Sequence, residues 1–312
     1  MLKCNTFLFG LGGIGLNYDY NNHKIITHSK ALSKNNKIKL IGAFDKKKSQ
    51  RVKFYKKYKV PVYDKFPQTE ILKKIKLAII CVNTQSHLYL IKKLSFYKNI
   101  KLLIIEKPCG KNHLEYLEIE KICKLKKIKF FINYQRIYDK KYAEIYKYIK
   151  NLNNFNGTVY YSRGLRNNLG HILSLLRPLG LKNIKIKIVN FKEYPDFIIY
   201  FKRGFLIFLS TENERVSNND FIIVDRKIKI ISSNEMNTFN FYVLKKDSLI
   251  ENNFFFSKKR KIKLNTSFSQ KNALNNILNI SNKKNKFINM YKDISLILEK
   301  IKKKNEQKNN KL

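Results

Sequence analysis

The chain opens on an apolar run, "CNTFLF" (4–9), that breaks at once onto Gly10-Leu11-Gly12-Gly13-Ile14-Gly15. A strand-length run ending in glycines at this spacing is the pattern of a phosphate-binding turn. The first glycine admits a tight turn, the second lets backbone approach a pyrophosphate, and the third lets a helix pack close to the strand. The amino terminus of the following helix then offers N–H groups to the phosphates. A glycine-rich turn without a ligand satisfies the same letters, so the context decides. A secretion signal would need small residues after the apolar run; "LNYDYNNHKIITH" supplies none, and we expect no cleaved leader.

The context is a second apolar run, "KIKLIGAFD", ending in Asp45. An acid at a strand's carboxyl end is placed to hydrogen-bond a ribose 2′-hydroxyl, and a turn or capping role is the alternative. The same charge repels a 2′-phosphate, so NAD is favoured over NADP, a preference that Lys46, Lys47 and Lys48 soften. The gap from Gly15 exceeds the usual spacing of about 20 residues. We assign the excess to "NYDYNNHKI", after which a helix resumes at "THSKALSK". Strand and helix patterns then alternate through "KLAIICVN", "HLYLIKKLSFY", "IKLLIIEK", "KNHLEYLEIEKICKLKK" and "IKFFINY". That alternation calls for a doubly wound parallel sheet of the Rossmann kind, with function at the carboxyl ends of its strands. Three turns fall there: "CVNTQSH", "EKPCGKN" and "NYQRIYD".

The second half reads differently. "GTVYYSRG", "IKIKIVNF", "FIIYFKRGFLIFLS" and "FIIVDRKIKIIS" are strand-like, the last two as hairpins turning at Lys-Arg-Gly and Asp-Arg-Lys. We therefore expect an α/β chain: a dinucleotide-binding Rossmann domain over 1–133, and an α+β domain with an open, mostly antiparallel sheet over 134–302. A frayed basic tail follows over 303–312. One apolar face of the second sheet should be covered by another subunit, giving a homo-oligomer, either dimer or tetramer.

Among 312 residues, 65 Lys+Arg face 22 Asp+Glu, for a formal net charge of +43. The charge is mostly Lys and spread along the whole chain, so it gives diffuse attraction to polyanions and no Arg-led groove for specific nucleic-acid readout. No stretch reaches the roughly 18 to 20 apolar residues of a membrane span. Cys4, Cys81, Cys109 and Cys123 form no CxxC pair and read as reduced thiols of an intracellular, cytoplasmic protein. The five histidines form no ligand cluster, and no metal site is expected.

Taken together, GxGxxG, "VNTQSH", Glu106-Lys107-Pro108 and "NYQRIYD" resemble the glucose-fructose oxidoreductase and inositol dehydrogenase (Gfo/Idh/MocA) family. Farther on, "YYSRGLRNNLGHILSLLRPLG" is similar to that family's YxxGLxxNGSHxIDLLxxLxG segment and places His171 on its active-site histidine. The resemblance runs to the closing helix "FINMYKDISLILEKIKK". It implies hydride transfer between a nicotinamide and a secondary alcohol of a sugar, sugar nucleotide or cyclitol, with surface-polysaccharide biosynthesis as one setting. It assigns catalysis to Lys107 and His171. Gly10, Gly12, Gly13, Ile14, Gly15, Asp45, Asn83, Thr84, His87 and Glu106 would contact the cofactor, and Arg136, Arg163 and Asn168 the substrate. Oxidising an alcohol needs a base, and a lysine with an ordinary pKa of about 10.4 serves only if burial or a positive neighbour lowers it.

The segment also departs from the family. Leu169-Gly170 stand where members carry Gly-Ser, Asn167 where many carry an acid, and Ser174 where an Asp would orient the histidine. A second function class therefore stands beside the enzyme: a catalytically impaired dinucleotide-binding protein that senses or scaffolds.

Overall fold

Parallel pairing buries both faces of a strand, and the apolar runs of the first half answer to that. The chain, described here from a computed structural model, is defined over residues 3–211, 217–283 and 285–309. Its first strands are β1 (Cys4–Phe9), β2 (Ile38–Phe44), β3 (Val62–Tyr63), β4 (Leu77–Ile80), β5 (Leu102–Ile105) and β6 (Lys129–Ile132). They pair all-parallel in the order β3-β2-β1-β4-β5-β6. Every residue of β4 and β5 is buried. The order reverses between β1 and β4, and the crevice beyond their carboxyl ends is where such sheets take ligands.

The crossovers carry α1 (His28–Ser33), α2 (Lys48–Tyr58), α3 (Thr69–Leu72), α4 (His87–Leu94) and α5 (His113–Leu125). α4 buries His87, Leu90, Ile91 and Leu94, one stripe at helical spacing. α5 starts where Asn112 Oδ1 accepts from the Glu115 N–H at 2.9 Å, satisfying one of the donors that a helix start leaves over.

The second sheet contains β7 (Asn156–Ser162), β8 (Lys185–Asn190), β9 (Asp196–Phe201), β10 (Gly204–Thr211), β11 (Phe221–Val224), β12 (Ile228–Ser233), β13 (Thr238–Lys246) and β14 (Phe254–Lys263). Their order is β14-β13-β12-β11-β7-β10-β9-β8, antiparallel except for the parallel pair β10 and β7. Both hairpins turn where the sequence indicated. β13 and β14 form a further hairpin that the sequence reading did not single out. One face is dry: Val159, Tyr161, Phe197, Ile199, Leu206, Phe208, Phe221, Ile223, Phe239 and Phe241 are all fully buried. Helix α6 (Tyr142–Lys150) covers part of it, stacking Tyr148 on Phe241 with ring centroids 4.1 Å apart. The other face shows Tyr160, Tyr200, Phe205 and Ile222 to solvent. α7 (Gly170–Leu176) lies between β7 and β8 in sequence, and α8 (Ser269–Ile280) and α9 (Ile288–Asn309) close the chain.

Two compact units result: Met1–Tyr138 with Thr266–Lys292, and Asp139–Asn265 with Asp293–Leu312. The expected cut at 133/134 thus moves to 138/139, and the segment carrying α8 belongs with the first sheet. Hydrogen bonds show why: Asn35 donates to Asn275 Oδ1, Asn276 donates to the Tyr138 carbonyl, and the Ile25 N–H donates to the Ser267 carbonyl. The frayed tail expected from 303 is also corrected. α9 continues through Asn309, with Lys302 and Glu306 paired at the i,i+4 spacing that stabilises an exposed helix. Residues 310–312 lie outside the described residues.

Candidate functional site

Two glycines of the opening turn, Gly10 and Gly15, have a geometric reason. Gly10 sits at φ +100°, and a Cβ there would lie 2.6 Å from the Cys81 backbone. A Cβ on Gly15 would strike the Gly10 carbonyl oxygen, while one on Gly12 would meet nothing within 4 Å. The turn is therefore tight at its ends and open at its centre, the shape a backbone cradle for a phosphate requires. Gly13–Asn17 forms a single wide helical turn whose first bonds run from the Leu16 and Asn17 N–H groups to the Gly12 carbonyl, so the amides before Leu16 precede the ladder. The stretch "NYDYNNHKI" interrupts after this turn and the helix resumes at α1 (His28–Ser33), as the spacing implied. The buried Asp19 carboxylate accepts from the Ile26 N–H, the Thr27 N–H and the Thr27 hydroxyl, closing a loop before α1 begins.

Asp45 follows β2 and is half-buried. Its Oδ2 accepts from the Leu11 N–H at 2.7 Å and its Oδ1 from the Lys47 N–H at 2.8 Å. The carboxylate thus ties the glycine turn to the second strand, which is the capping role set beside the ribose role from sequence. Asn83 and Thr84 lie in the turn after β4, where Ser86 donates to Asn83 Oδ1. His87 needs a correction as a cofactor contact. It is 1% exposed, and its ring nitrogens face the carbonyls of Val82 and Cys109 at 3.0 Å each, so it clips two strand-end loops together. Burial holds its pKa below the ordinary value against those two carbonyls.

The strand-end motif after β5 carries the candidate chemistry of the first unit. Lys107 is half-buried and joined to Pro108 by a cis peptide. Burial pulls its ammonium pKa down, Glu106 pushes it back up, and the Arg136 guanidinium lowers it again. Arg136, expected from the motif as a substrate contact, is thus a positive neighbour of Lys107 within the chain itself. Glu106 is buried, which acts to raise its carboxyl, but contacts from the His28 ring and Asn133 outweigh this and hold it below the usual range, with Lys107 adding to the same effect. His28 Nε2 lies 2.8 Å and Asn133 Nδ2 2.5 Å from Glu106 Oε1. Gln270, on α8, meets His28 Nδ1 at 2.8 Å and Asn133 at 2.9 Å. His28, Asn133 and Gln270 went unread in the sequence. Asn133 stands in the quoted "NYQRIYD" turn, but nothing local marks His28 or Gln270.

In the second unit, His171 occupies the first turn of α7 and is half-buried; Arg163, at φ 57°, is exposed after β7, and Asn168 is half-buried. These three share one segment. The Ser174 hydroxyl donates to the His171 carbonyl at 2.7 Å, so its proton serves the helix backbone. The Asn167 side chain lies outside the described residues. Among the described residues no group of His, Cys, Asp and Glu could hold a metal ion, and no helix is long and apolar enough to cross a membrane. The four cysteines are free, and burial pushes the Cys123 thiol up to about 12.

Residues 5–134 match the family model described as the oxidoreductase family, NAD-binding Rossmann fold (GFO_IDH_MocA). No curated protein matches the sequence. Solved structures share the fold over nearly the whole chain. UDP-N-acetylglucosamine 3-dehydrogenase GnnA from Acidithiobacillus ferrooxidans is 11% identical, with 96% of each chain covered and a TM-score of 0.72. The 3-ketoreductase KijD10 from Actinomadura kijaniata, solved with NADP and TDP-benzene, is 8% identical over 95% of this chain and 96% of that one, with a TM-score of 0.70. A super-repressor mutant of Gal80p from Saccharomyces cerevisiae is 13% identical over 98% and 96%, with a TM-score of 0.72. With its parallel sheet, its glycine turn and its Glu-Lys-Pro step, the stretch 5–134 belongs to the Gfo/Idh/MocA oxidoreductase family as an NAD-binding Rossmann domain.

Proposed function

We propose that this chain is a nicotinamide-dependent oxidoreductase moving hydride between the cofactor and a secondary alcohol carbon of a sugar, sugar nucleotide or cyclitol. The observation that carries this reading is Lys107: a lysine at the carboxyl end of a central parallel strand whose amine is brought below its ordinary range by burial. The open centre of the turn at Gly12 fits a dinucleotide, which when bound supplies the nicotinamide carbon that gives or takes hydride.

The protein's own work is then positioning and proton transfer. Gly10, Gly12, Gly13, Ile14 and Gly15 would cradle the pyrophosphate, and Asp45 a ribose hydroxyl, with NAD preferred to NADP because a carboxylate repels a 2′-phosphate. Asn83, Thr84 and Glu106 line the neighbouring strand ends, while His87 fixes their loops. Lys107 Nζ takes the hydroxyl proton during oxidation and returns it during reduction, and Arg136 beside it meets substrate oxygen or phosphate. His171, Arg163 and Asn168 are assigned to substrate on the motif alone. The GnnA name points the same way, toward a sugar nucleotide, and the TDP-benzene bound to KijD10 toward a nucleotide-linked ligand. A cytoplasmic homo-oligomer is the expected form, its contact on the outer face that carries Tyr160, Tyr200, Phe205 and Ile222. Light scattering at micromolar concentration checks the assembly.

The test of function is nicotinamide absorbance on mixing the protein with NAD or NADH and a panel of UDP- and TDP-sugars and myo-inositol; turnover of one of them is expected. A second reading, dinucleotide binding in a sensing or scaffold role, is favoured by the Ser174 geometry and by the shared fold of Gal80p, whose variant is described as a super-repressor. Tight cofactor binding with no turnover across the panel would select it.

A further inference from the structure

The polar groups around Glu106 fix one another's orientation, starting from the carboxylate. A carboxylate oxygen only accepts, so the Asn133 atom 2.5 Å from Glu106 Oε1 is its NH2. That same NH2 lies 2.9 Å from Gln270, so the Gln270 atom facing it is the carbonyl oxygen, which the Gln135 NH2 also reaches at 2.6 Å. The Gln270 NH2 must then face His28 Nδ1, at 2.8 Å. An amide NH2 only donates, so Nδ1 accepts and the imidazole proton sits on Nε2, where it donates to Glu106 Oε1 at 2.8 Å. The 3.4 Å approach of Asn133 Nδ2 to His28 Nε2 is then two donors sharing one acceptor. All of these groups belong to the first unit.

We propose that Gln270 is a positioning residue: through His28 and Asn133 it holds Glu106 as an anion caged by neutral donors, so that the charge of Glu106 acts on Lys107. Were His28 free to take a second proton, its cation would cancel that charge. The inference rests on Lys107 as the acid/base of the proposed reaction. The charged and titratable groups that share its surroundings are Arg136 beside Lys107 and, toward Glu106, Cys81 after β4 and His87 on α4. Gln270 adds no charge of its own. The device uses burial to make the lysine a usable base and an uncompensated carboxylate to keep it from losing its proton to solvent too early.

Two measurements test this without any substrate. In protein labelled at the histidine ring nitrogens, with His28→Gln used for assignment, the magnetic resonance spectrum should show His28 as the Nε2–H tautomer at neutral pH; the Nδ1–H tautomer or an imidazolium would overturn the proposal. Trace acetylation by acetic anhydride, scored at Lys107 by mass spectrometry across pH, gives the midpoint of its amine. In Gln270→Leu and His28→Leu the midpoint should fall by about one unit or more, the size expected when a nearby opposite charge is cancelled. His28→Gln, which keeps a neutral donor, should restore the parental midpoint. A Lys107 midpoint unmoved in folded Gln270→Leu also overturns it. Should the leucine variants fail to fold, the parental tautomer and the His28→Gln midpoint decide. Since neither readout needs turnover, a missing sugar reaction would sink the function proposed above and leave this result standing by itself.

Discussion

The glycine turn yields the most discriminating perturbation, because its two ends and its centre respond to a side chain in opposite ways. Gly12→Val places a branched side chain where a Cβ meets nothing within 4 Å, so the folded protein should accept it. Gly10→Ala forces a Cβ to 2.6 Å from the Cys81 backbone at φ +100°, where an L-residue is strained. Strain of this kind costs about 1–3 kcal/mol, and each kcal/mol moves the Tm of a domain this size by about 2–4 °C. Gly10→Ala should therefore melt several degrees lower, and Gly12→Val within about a degree of the parent. Binding should separate the two the other way. Two backbone N–H bonds to a charged phosphate contribute about 3 kcal/mol between them, so a valine that blocks the approach weakens NADH by about 100-fold or more. Calorimetric melting and NADH titration on the same preparations make the comparison. A Gly12→Val protein that binds NADH like the parent, or that melts as low as Gly10→Ala, would refute the assignment of this turn.

Lys107→Met keeps the length of the stem and removes the proton carrier; hydride transfer to an identified substrate should fall by about 10² to 10⁴ while NADH affinity stays near the parental value. Because the amine is needed neutral for oxidation and its pKa is lowered, the oxidation rate should rise with pH through a midpoint below the ordinary lysine value of about 10.4, and that limb should vanish in Lys107→Met. Asp45→Asn removes the charge and leaves one acceptor oxygen where the Leu11 and Lys47 N–H groups use two, so the preference for NADH over NADPH should narrow or invert in parallel titrations, with about 1–3 kcal/mol lost in denaturant unfolding. Ser174→Ala removes only a bond to the His171 carbonyl; it should cost about 0.5–1.5 kcal/mol in denaturant unfolding and leave the pH profile of hydride transfer where it was.

What could be read in advance follows from how each element obtains its stability. β1, β2, β4, β5 and β6 are apolar because a parallel sheet buries them on both sides, and that demand is written locally. α2 was not legible: in "KSQRVKFYKKY" only Phe54 is fully buried, so no apolar stripe announces the helix. β3 escaped because two residues, Val62 and Tyr63, make no pattern. α8 does carry a stripe, burying Gln270, Ala273, Leu274 and Ile277, yet a stripe says nothing about which sheet it will cover. The domain boundary was misplaced for that reason.

The site divides along the same line. Lys107 was legible because a strand end and a proline fix its backbone within three letters, and a motif of that kind needs no distant partner. His87 looked like a ligand-facing histidine from its place in a strand-end loop, but its meaning lies in two carbonyls, one of them from a loop 22 residues away. His28 carries the argument furthest. It stands in sequence as one polar residue at the start of a six-residue helix, and only its contacts, with Glu106 78 residues on and Gln270 242 residues on, make it part of the polar group around Glu106. A buried carboxylate beside a half-buried lysine would ordinarily settle the charge of both by pairing. In the arrangement proposed above the carboxylate is held by neutral N–H donors, so it can stay an anion while the amine, once neutral, takes the proton of a substrate hydroxyl. On that proposal the chemistry is local to Glu106-Lys107-Pro108, while the charge its lysine feels depends on Gln270, an amide that enters the first unit from the far end of the chain.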